Sequence, residues 1–298
     1  MSPPVVVIGN PTSGQKGSPA LLESCAEHLR RRLGDVELLM TERPGHAREL
    51  AAAAGDTLVV AAGGDGTVNE VVNGLSPGAT LGIIPLGTAN VLAQELGIPL
   101  DPEAACERIS GRRGTVMDLG VATDARGASR LFACMAGIGF DARVVQAVDP
   151  ALKHRLGKSA FVLTAVRLYL TGHFPPCRLH IEHEDGYEKV IEKVRLAVLA
   201  NVTHYGGPFL VSSRADLMHS GELDLVVVER ISSLLRPDIL LPFMARTPLD
   251  HSIRSFDVTR ARASSMDGRS IPVQLDGEPW GTLPMTFGVR PGALRVIC

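Results

Sequence analysis

The stretch that most constrains this chain is TLVVAAGGDGTVNEVVNG, Thr57 to Gly74. Thr57 to Ala62 is almost wholly apolar, which reads as a central strand buried on both faces. It opens into Gly63-Gly64-Asp65-Gly66-Thr67, where three glycines permit positive φ and close approach to a ligand. Val68 to Leu75 reads as one short helix, ended by Gly74 and Ser76-Pro77. A strand, a glycine loop and a helix N-terminus aim backbone N–H groups and a positive dipole end at one point. That is an anion site, most suited to phosphate. A tight turn that needs glycine only for packing is the simpler alternative. One glycine would serve it; three around an Asp, with Thr67, Asn69 and Glu70 following, favour the site.

The residues before and after this stretch repeat its grammar. Val5 to Ile8 reads as a strand and Gly9 to Gly14 as a turn. Ser18 caps a helix with Pro19 at its first position and Gly34 at its end. Val36 to Thr41 is a strand and His46 to Ala54 a helix; Leu81 to Pro85 is a strand, Gly87 to Asn90 a loop and Ala89 to Leu96 a helix. Alternating apolar strands and helices mean a parallel sheet with crossover helices, in which ligands sit beyond the carboxyl ends of the strands. Those ends carry Asn10 to Ser13, Thr41, Gly63 to Thr67 and Thr88 to Asn90. Two motifs are decoys. Gly9 to Gly14 followed by Gln15-Lys16 nearly makes a P-loop, but Gln15 stands where Lys is required and Lys16 where Ser or Thr is. Gly137-Ile138-Gly139-Phe140-Asp141-Ala142 has dinucleotide-fingerprint spacing without alternating strands and helices around it, so a structural turn is the better reading.

After Gly114 the pattern changes to many short strands: Thr115–Ala122, Arg130–Ala136, Cys177–Glu184, Tyr187–Glu192, Val194–Ala200, Leu223–Glu229, Ser255–Ala261, Ile271–Leu275 and Met285–Val289. Cys177, Leu179 and Ile181 alternate with Arg178, His180 and Glu182 before an Asp185-Gly186 turn, which indicates an antiparallel sandwich. Ala151 to Leu170 reads as an amphipathic helix, packed on the sandwich or facing a membrane, and Ser232 to Arg246 as a further apolar helical segment.

Composition excludes several classes. The 298 residues carry a net charge of −2, which offers nucleic acid no electrostatic footing. Five scattered cysteines form no CxxC, and the nine histidines form no cluster, so neither disulfides nor a zinc site are expected and a reduced cytoplasmic setting fits. No basic N-terminal leader and no apolar run of about 20 residues is present, so neither a signal peptide nor a spanning helix is expected.

Taken in order, NPTSG (Asn10–Gly14), TERPGHA (Thr41–Ala47), GGDGTVNEVVNGL (Gly63–Leu75), PLGTANVLAQELGIP (Pro85–Pro99), DLG (Asp118–Gly120), GIGFDA (Gly137–Ala142), GGPF (Gly206–Phe209) and LDGE (Leu275–Glu278) resemble the diacylglycerol kinase catalytic-domain family, within it the bacterial lipid kinases related to sphingosine kinases. The resemblance implies an N-terminal Rossmann-like α/β nucleotide domain over 1–120, rejoined by 290–298, and a C-terminal antiparallel β-sandwich lipid domain over 121–289. It implies Mg2+ and ATP, with ATP in the cleft between the domains. Asn10, Ser13, Thr41, Gly63, Gly64, Asp65, Gly66, Thr67, Val68, Asn69, Glu70, Thr88 and Asn90 would bind the nucleotide. Asp65 would face magnesium or its waters, Asp276 would take the proton of the lipid hydroxyl, and Glu278 stands beside it. Asp276-Gly277 is also a common turn pair. A structural metal of relatives would match Leu217, Ser220 and Glu222, with Ser220 in place of the expected Asp. The activity implied is phosphoryl transfer from ATP to a diacylglycerol-like or sphingoid-like lipid, by a cytoplasmic protein in transient peripheral contact with a membrane; a homodimer is compatible with it. NAD kinase, which shares GGDGT, and a nucleotide-binding regulator without catalysis are the rival readings. The presence of Asp65, Asp276 and Glu278 argues against the latter.

Overall fold

Four runs become four parallel strands, each needing a helix to return the chain; three are buried on both faces, and the fourth, at the sheet edge, buries only its first residue, Val36. They are β1 (Val5–Gly9), β2 (Val36–Met40), β3 (Leu58–Gly63) and β4 (Thr80–Pro85), in the order β2-β1-β3-β4. Val5 pairs with Val36 on one side and Leu58 on the other, and Leu58 with Thr80. The computed structural model describes residues 5–14, 17–149, 157, 159–172, 174–183, 185–205, 209–212, 214, 216–231 and 254–298. Two units are distinguished: Met1–Met117 with Gly292–Cys298, and Asp118–Pro291.

In the first unit the connecting helices are α1 (Pro19–Leu33), α2 (His46–Ala54), α3 (Asp65–Val72), α4 (Val91–Glu95) and α5 (Pro102–Ser110). Ser18 caps α1 as expected, its hydroxyl accepting the Leu21 N–H at 3.2 Å. Helix α5 is absent from the sequence reading, although Asp101-Pro102 repeats the Ser18-Pro19 signal: the Asp101 carboxylate accepts the Ala104 N–H at 2.9 Å. Leu22, Leu29, Val60, Ile84, Leu86, Ile109 and Ile297 share one buried core. Each such side chain contributes about 1.5–3 kcal/mol by leaving water.

The second unit is built from β5 (Gly114–Asp124, which enters it at Asp118), β6 (Ser129–Phe132), β7 (Met135–Gly139), α6 (Phe140–Ala147), α7 (Ser159–Thr171), β8 (Cys177–Glu182), β9 (Glu188–Val194) and β10 (Leu196–Ala200). It continues through β11 (His204–Tyr205), β12 (Phe209–Leu210), β13 (Leu223–Val228), β14 (Arg254–Val258), β15 (Arg260–Ser265), β16 (Pro272–Leu275) and β17 (Glu278–Thr282) to β18 (Met285–Ile297), whose end re-enters the first unit. One antiparallel sheet has the order β14-β13-β10-β7-β16-β17. Facing it are β9, β8, β15 and the start of β18, with the β5–β6 hairpin. Leu179, Ile181, Ala261 and Phe287 of this layer share a core with Ile138, Leu199, Leu225 and Val273 of the other, so the expected sandwich is present. The alternation along β8 decides its faces: Cys177, Leu179 and Ile181 are buried, and Arg178, His180 and Glu182 are not.

Three local differences follow from tertiary contacts. Arg130–Ala136 is two strands, broken at Ala133-Cys134. GIGFDA is the end of β7 and the start of α6; Gly139, at φ 75°, makes the corner. Helix α7 lays Phe161, Ala165, Leu168 and Tyr169 against Phe140, Val144, Phe174 and Ile231. Its outer side leaves Val162, Leu163, Val166 and Leu170 exposed, the last by 72%. Residues 151–156 and 158 of the expected longer helix, and all of Ser232–Arg246, lie outside the described residues. Among the described residues no helix is long and apolar enough to cross a membrane.

Candidate active site

At the carboxyl end of β3 the glycines act through close contact, since none of Gly63, Gly64 and Gly66 has positive φ. Helix α3 begins at Asp65, three residues before the sequence suggests, because its first turn folds back onto Gly63. A Cβ there would lie 2.4 Å from Thr67 Oγ1. A Cβ on Gly87 would lie 2.5 Å from Gly64 Cα, so the loops after β3 and β4 touch backbone to backbone. Asn90, in the left-handed region at φ 47°, fixes the second loop. Its Oδ1 accepts the Gly87 N–H at 2.9 Å and its Nδ2 donates to the Gly87 carbonyl at 2.8 Å. With Asn90 so engaged, helix α4 starts at Val91 instead of Ala89. Asp65 Oδ1 accepts the Val91 N–H at 2.6 Å, which ties α3 to the start of α4.

The same edge carries Asn10, whose Nδ2 donates to Thr67 Oγ1 at 3.3 Å, and Ser13, whose Oγ is 3.3 Å from where a Gly64 Cβ would be. Thr41 follows β2 with its N–H on the Gly9 carbonyl at 2.8 Å, and Thr88 is exposed in the β4–α4 loop. The expected phosphate cradle of Gly64 to Glu70 is narrowed by the early helix start. The Val68 N–H is bonded to the Gly64 carbonyl at 3.0 Å, and Asn69 and Glu70 lie within the helix. Glu70 turns its carboxylate to the N-terminus of α2, accepting the Gly45 and Ala47 N–H groups at 2.8 and 3.1 Å. The carbonyls one helical turn before Gly66 and Thr67 belong to Ala62 and Gly63, and both accept sheet-side bonds, from Asn10 and Leu86. The N–H groups of Gly66 and Thr67 therefore begin the helix without an intrahelical acceptor.

In the second unit Asp276 and Gly277 form the two-residue turn between β16 and β17, at φ 49° and 82°. The Asp276 carboxylate is what breaks the apolar run at 133–134. Its Oδ2 accepts the Ala133 N–H at 2.8 Å, and its Oδ1 accepts those of Cys134 and Met135 at 2.8 and 2.9 Å. The Asp276 N–H donates back to the Met135 carbonyl at 2.9 Å. Asn201 steadies the other side of this segment, donating from Nδ2 to the Ala133 and Asp118 carbonyls at 2.9 Å each. Glu278 pairs with Arg130 at 2.6 Å. Sequence reasoning gave no role to Arg130, Asn201 or Gln274; Gln274 lies two residues before Asp276, the one positional hint available.

The chain matches the family model for the diacylglycerol kinase catalytic domain over residues 4–122. The model of the YegS C-terminal NAD kinase beta sandwich-like domain matches residues 134–298, more than half the chain. The chain belongs to the diacylglycerol kinase catalytic-domain family. A diacylglycerol kinase of Mycobacterium tuberculosis is 30% identical, covering 98% of this chain and 94% of that protein. A Pseudomonas aeruginosa protein described as "Probable lipid kinase YegS-like" is 32% identical, covering 88% of this chain and 84% of its own length. A crystal structure of a diacylglycerol kinase from Bacillus anthracis superposes with a TM-score of 0.70 over 99% of this chain and 96% of that one. At 21% identity it bears on the fold alone.

This diacylglycerol kinase-family chain departs from the structural metal site expected at Leu217, Ser220 and Glu222. Ser220 Oγ sits 2.9 Å from the Leu217 carbonyl and 3.2 Å from that of Glu222, so a hydroxyl lies between two oxygens that a cation would take. The Glu222 carboxylate is held by Arg214 at 2.9 Å, and the same guanidinium meets Asp257 at 2.7 Å. The Gly221 N–H closes the loop on Asp118 Oδ2 at 2.8 Å. A neutral hydroxyl and a carboxylate already paired with arginine do not suit a hard dication. As they stand the three residues fit a metal poorly, and among the described residues no group of three or more His, Cys, Asp or Glu is arranged to hold one.

Proposed function

We propose that the chain is an ATP-dependent lipid kinase, transferring the γ-phosphoryl group of Mg-ATP to a hydroxyl of a diacylglycerol-like or sphingoid-like lipid. The observation that carries this reading is the Asp276 carboxylate, immobilised by three amide donors at a tight turn. Phosphoryl transfer asks a protein for aligned phosphates, neutralised charge and a base for the attacking hydroxyl. The first need is met on the β3–α3 edge by the N–H groups of Gly66 and Thr67, the glycine contact of Gly64 with Gly87, and Asn10, Ser13, Thr41, Thr88 and Asn90 around it. A carboxylate next to a phosphate site is tolerated only with a cation nearby, which suits Asp65 to the magnesium ion that accompanies ATP; that ion would spread the charge of the transferring group.

Asp276 takes the proton of the lipid hydroxyl as the new O–P bond forms. The bond from the γ-phosphorus to its bridging oxygen breaks, ADP leaves with that electron pair, and the proton passes to solvent. Glu278, paired with Arg130, keeps the start of β17 in place beside the base. The exposed Val162, Leu163, Val166 and Leu170 of α7 give a lipid-compatible face, which supports transient peripheral attachment at a cytoplasmic membrane surface. Incubation with γ-labelled ATP and a total bacterial lipid extract is expected to move label into chloroform-soluble product, identified by mass. Label that stays aqueous and appears only when NAD is added would replace this reading with an NAD kinase. ATP binding with no labelled product of either kind would replace it with a nucleotide-binding regulator.

A further inference from the structure

GIGFDA contains a buried carboxyl for which the proposed chemistry has no use. Asp141 stands in the first turn of α6 and is 3% exposed. An amide meets it: Gln274 Nε2 donates to Asp141 Oδ2 at 2.8 Å. Burial pushes this carboxyl up to about 6, with the Gln274 hydrogen bond acting the other way. A carboxyl in such a place costs stability.

Its surroundings are shaped to admit it. A Cβ on Gly137 would fall 1.5 Å from Asp141 Oδ2 and 2.6 Å from Gln274 Nε2. Gly139 turns β7 into α6, with the Phe140 N–H on the Arg195 carbonyl at 2.9 Å. The two glycines of the motif thus serve a carboxylate and a corner, with no dinucleotide needed to explain them.

Gln274 is 2% exposed and lies two residues before Asp276. Its other amide atom, Oε1, accepts the Gly277 N–H at 2.7 Å. An ionised carboxylate only accepts hydrogen bonds. Asp141 therefore fixes which way round the Gln274 amide stands, NH2 towards itself and carbonyl towards Gly277. That carbonyl grips the turn where Asp276 sits in a left-handed conformation, uncommon for a residue with a side chain.

We infer that Asp141 and Gln274 are positioning residues, a buried relay that sets the Asp276–Gly277 turn and so aims the Asp276 carboxylate. The inference rests on the reading of Asp276 as the base. Neither residue touches a reacting atom.

The test uses the full chain, γ-labelled ATP and the lipid fraction that accepts label. Gln274→Met, which keeps length and removes both polar atoms, is expected to lower kcat by about 10- to 100-fold, with KM for ATP unchanged within about twofold. Asp141→Val should do the same, and Asp141→Asn, which retains an acceptor, should recover most of that loss. Combined with Asp276→Asn, Gln274→Met should cost nothing further, since both act through one carboxylate. In parallel, amide exchange at Gly277 and Ala133–Met135 should quicken in Gln274→Met. Wild-type kcat in a folded Gln274→Met protein, an additive double mutant, or unchanged exchange would each overturn the relay while leaving the kinase reading in place. Faster exchange in Gln274→Met alongside full activity of Asp276→Asn would overturn Asp276 as the base, and the positioning role with it.

Discussion

The two regions assigned to the chemistry use main-chain N–H groups in opposite ways. At the β3–α3 edge the amides of Gly66 and Thr67 open a helix without an intrahelical acceptor, and glycines clear the space in front of the neighbouring loop. At the β6–β7 break three consecutive amides close on an anion supplied by the chain itself, Asp276. One set of donors suits an anion that arrives, and the other has its anion built in. The lesson is that a cluster of amides marks a binding site only when the chain has not already filled it.

The contrast can be broken most decisively at Asp276. Replacement by Asn should lower kcat by about 10²- to 10⁴-fold in a phosphoryl-transfer assay, with ATP affinity retained. A folded Asp276→Asn protein with full turnover would reduce the built-in anion to a structural tie. Next is Asp141. Its carboxyl titrates near 6, above the unfolded value of 3.8, so it costs nothing below about pH 4 and destabilises as pH rises through 6. Asp141→Asn should be more stable than wild type above that range, by on the order of 3 kcal/mol, with the gap closing in acid. Denaturant melts at pH 4 and pH 7.5 measure it, and a pH-independent gap would refute the assignment.

A smaller effect is expected at the open set of amides. Gly87→Ala places a Cβ 2.5 Å from Gly64 Cα and must push the two loops apart. ATP affinity by calorimetry should fall about 10-fold or more. Gly64→Ala, whose Cβ would be 3.1 Å from Gly87 Cα, should cost less. The smallest effect is at Ser220. Ser220→Ala should destabilise by about 1 kcal/mol through the lost hydroxyl bond, and the thermal midpoint of the wild type should not move when magnesium is replaced by chelator. A chelator-sensitive midpoint in the nucleotide-free protein would restore a structural cation to that loop.

Much of this was legible in the residues. The buried β1 and β3 announced themselves as unbroken apolar runs, Ser18-Pro19 and Gly34 bounded α1, and the β8 alternation gave the sandwich face. The start of α3 was not, because glycine disfavours helix and GGDGT reads as a loop; the back-folding of Thr67 onto Gly63 overrides that preference. The strand break at Ala133-Cys134 was beyond local pattern, since its cause, Asp276, lies 143 residues from Ala133. The partner of Asp141 is beyond local pattern for the same reason: Gln274 is 133 residues on. Asp101-Pro102, by contrast, is a purely local helix-start signal of the same kind as Ser18-Pro19.

Strand β18 has a consequence for how the molecule is made. Its last residues, Arg295 and Val296, lie parallel to Thr80 and Leu81 and complete the sheet of the first unit beside β4. The intervening Asp118–Pro291 belongs to the other unit. During synthesis on the ribosome, the first unit must therefore keep the edge of β4 uncovered while the whole second unit is translated, an open template for pairing with a neighbouring nascent chain. Final assembly of the first unit is a late event in the life of the polypeptide, even though its other sheet strands emerge first.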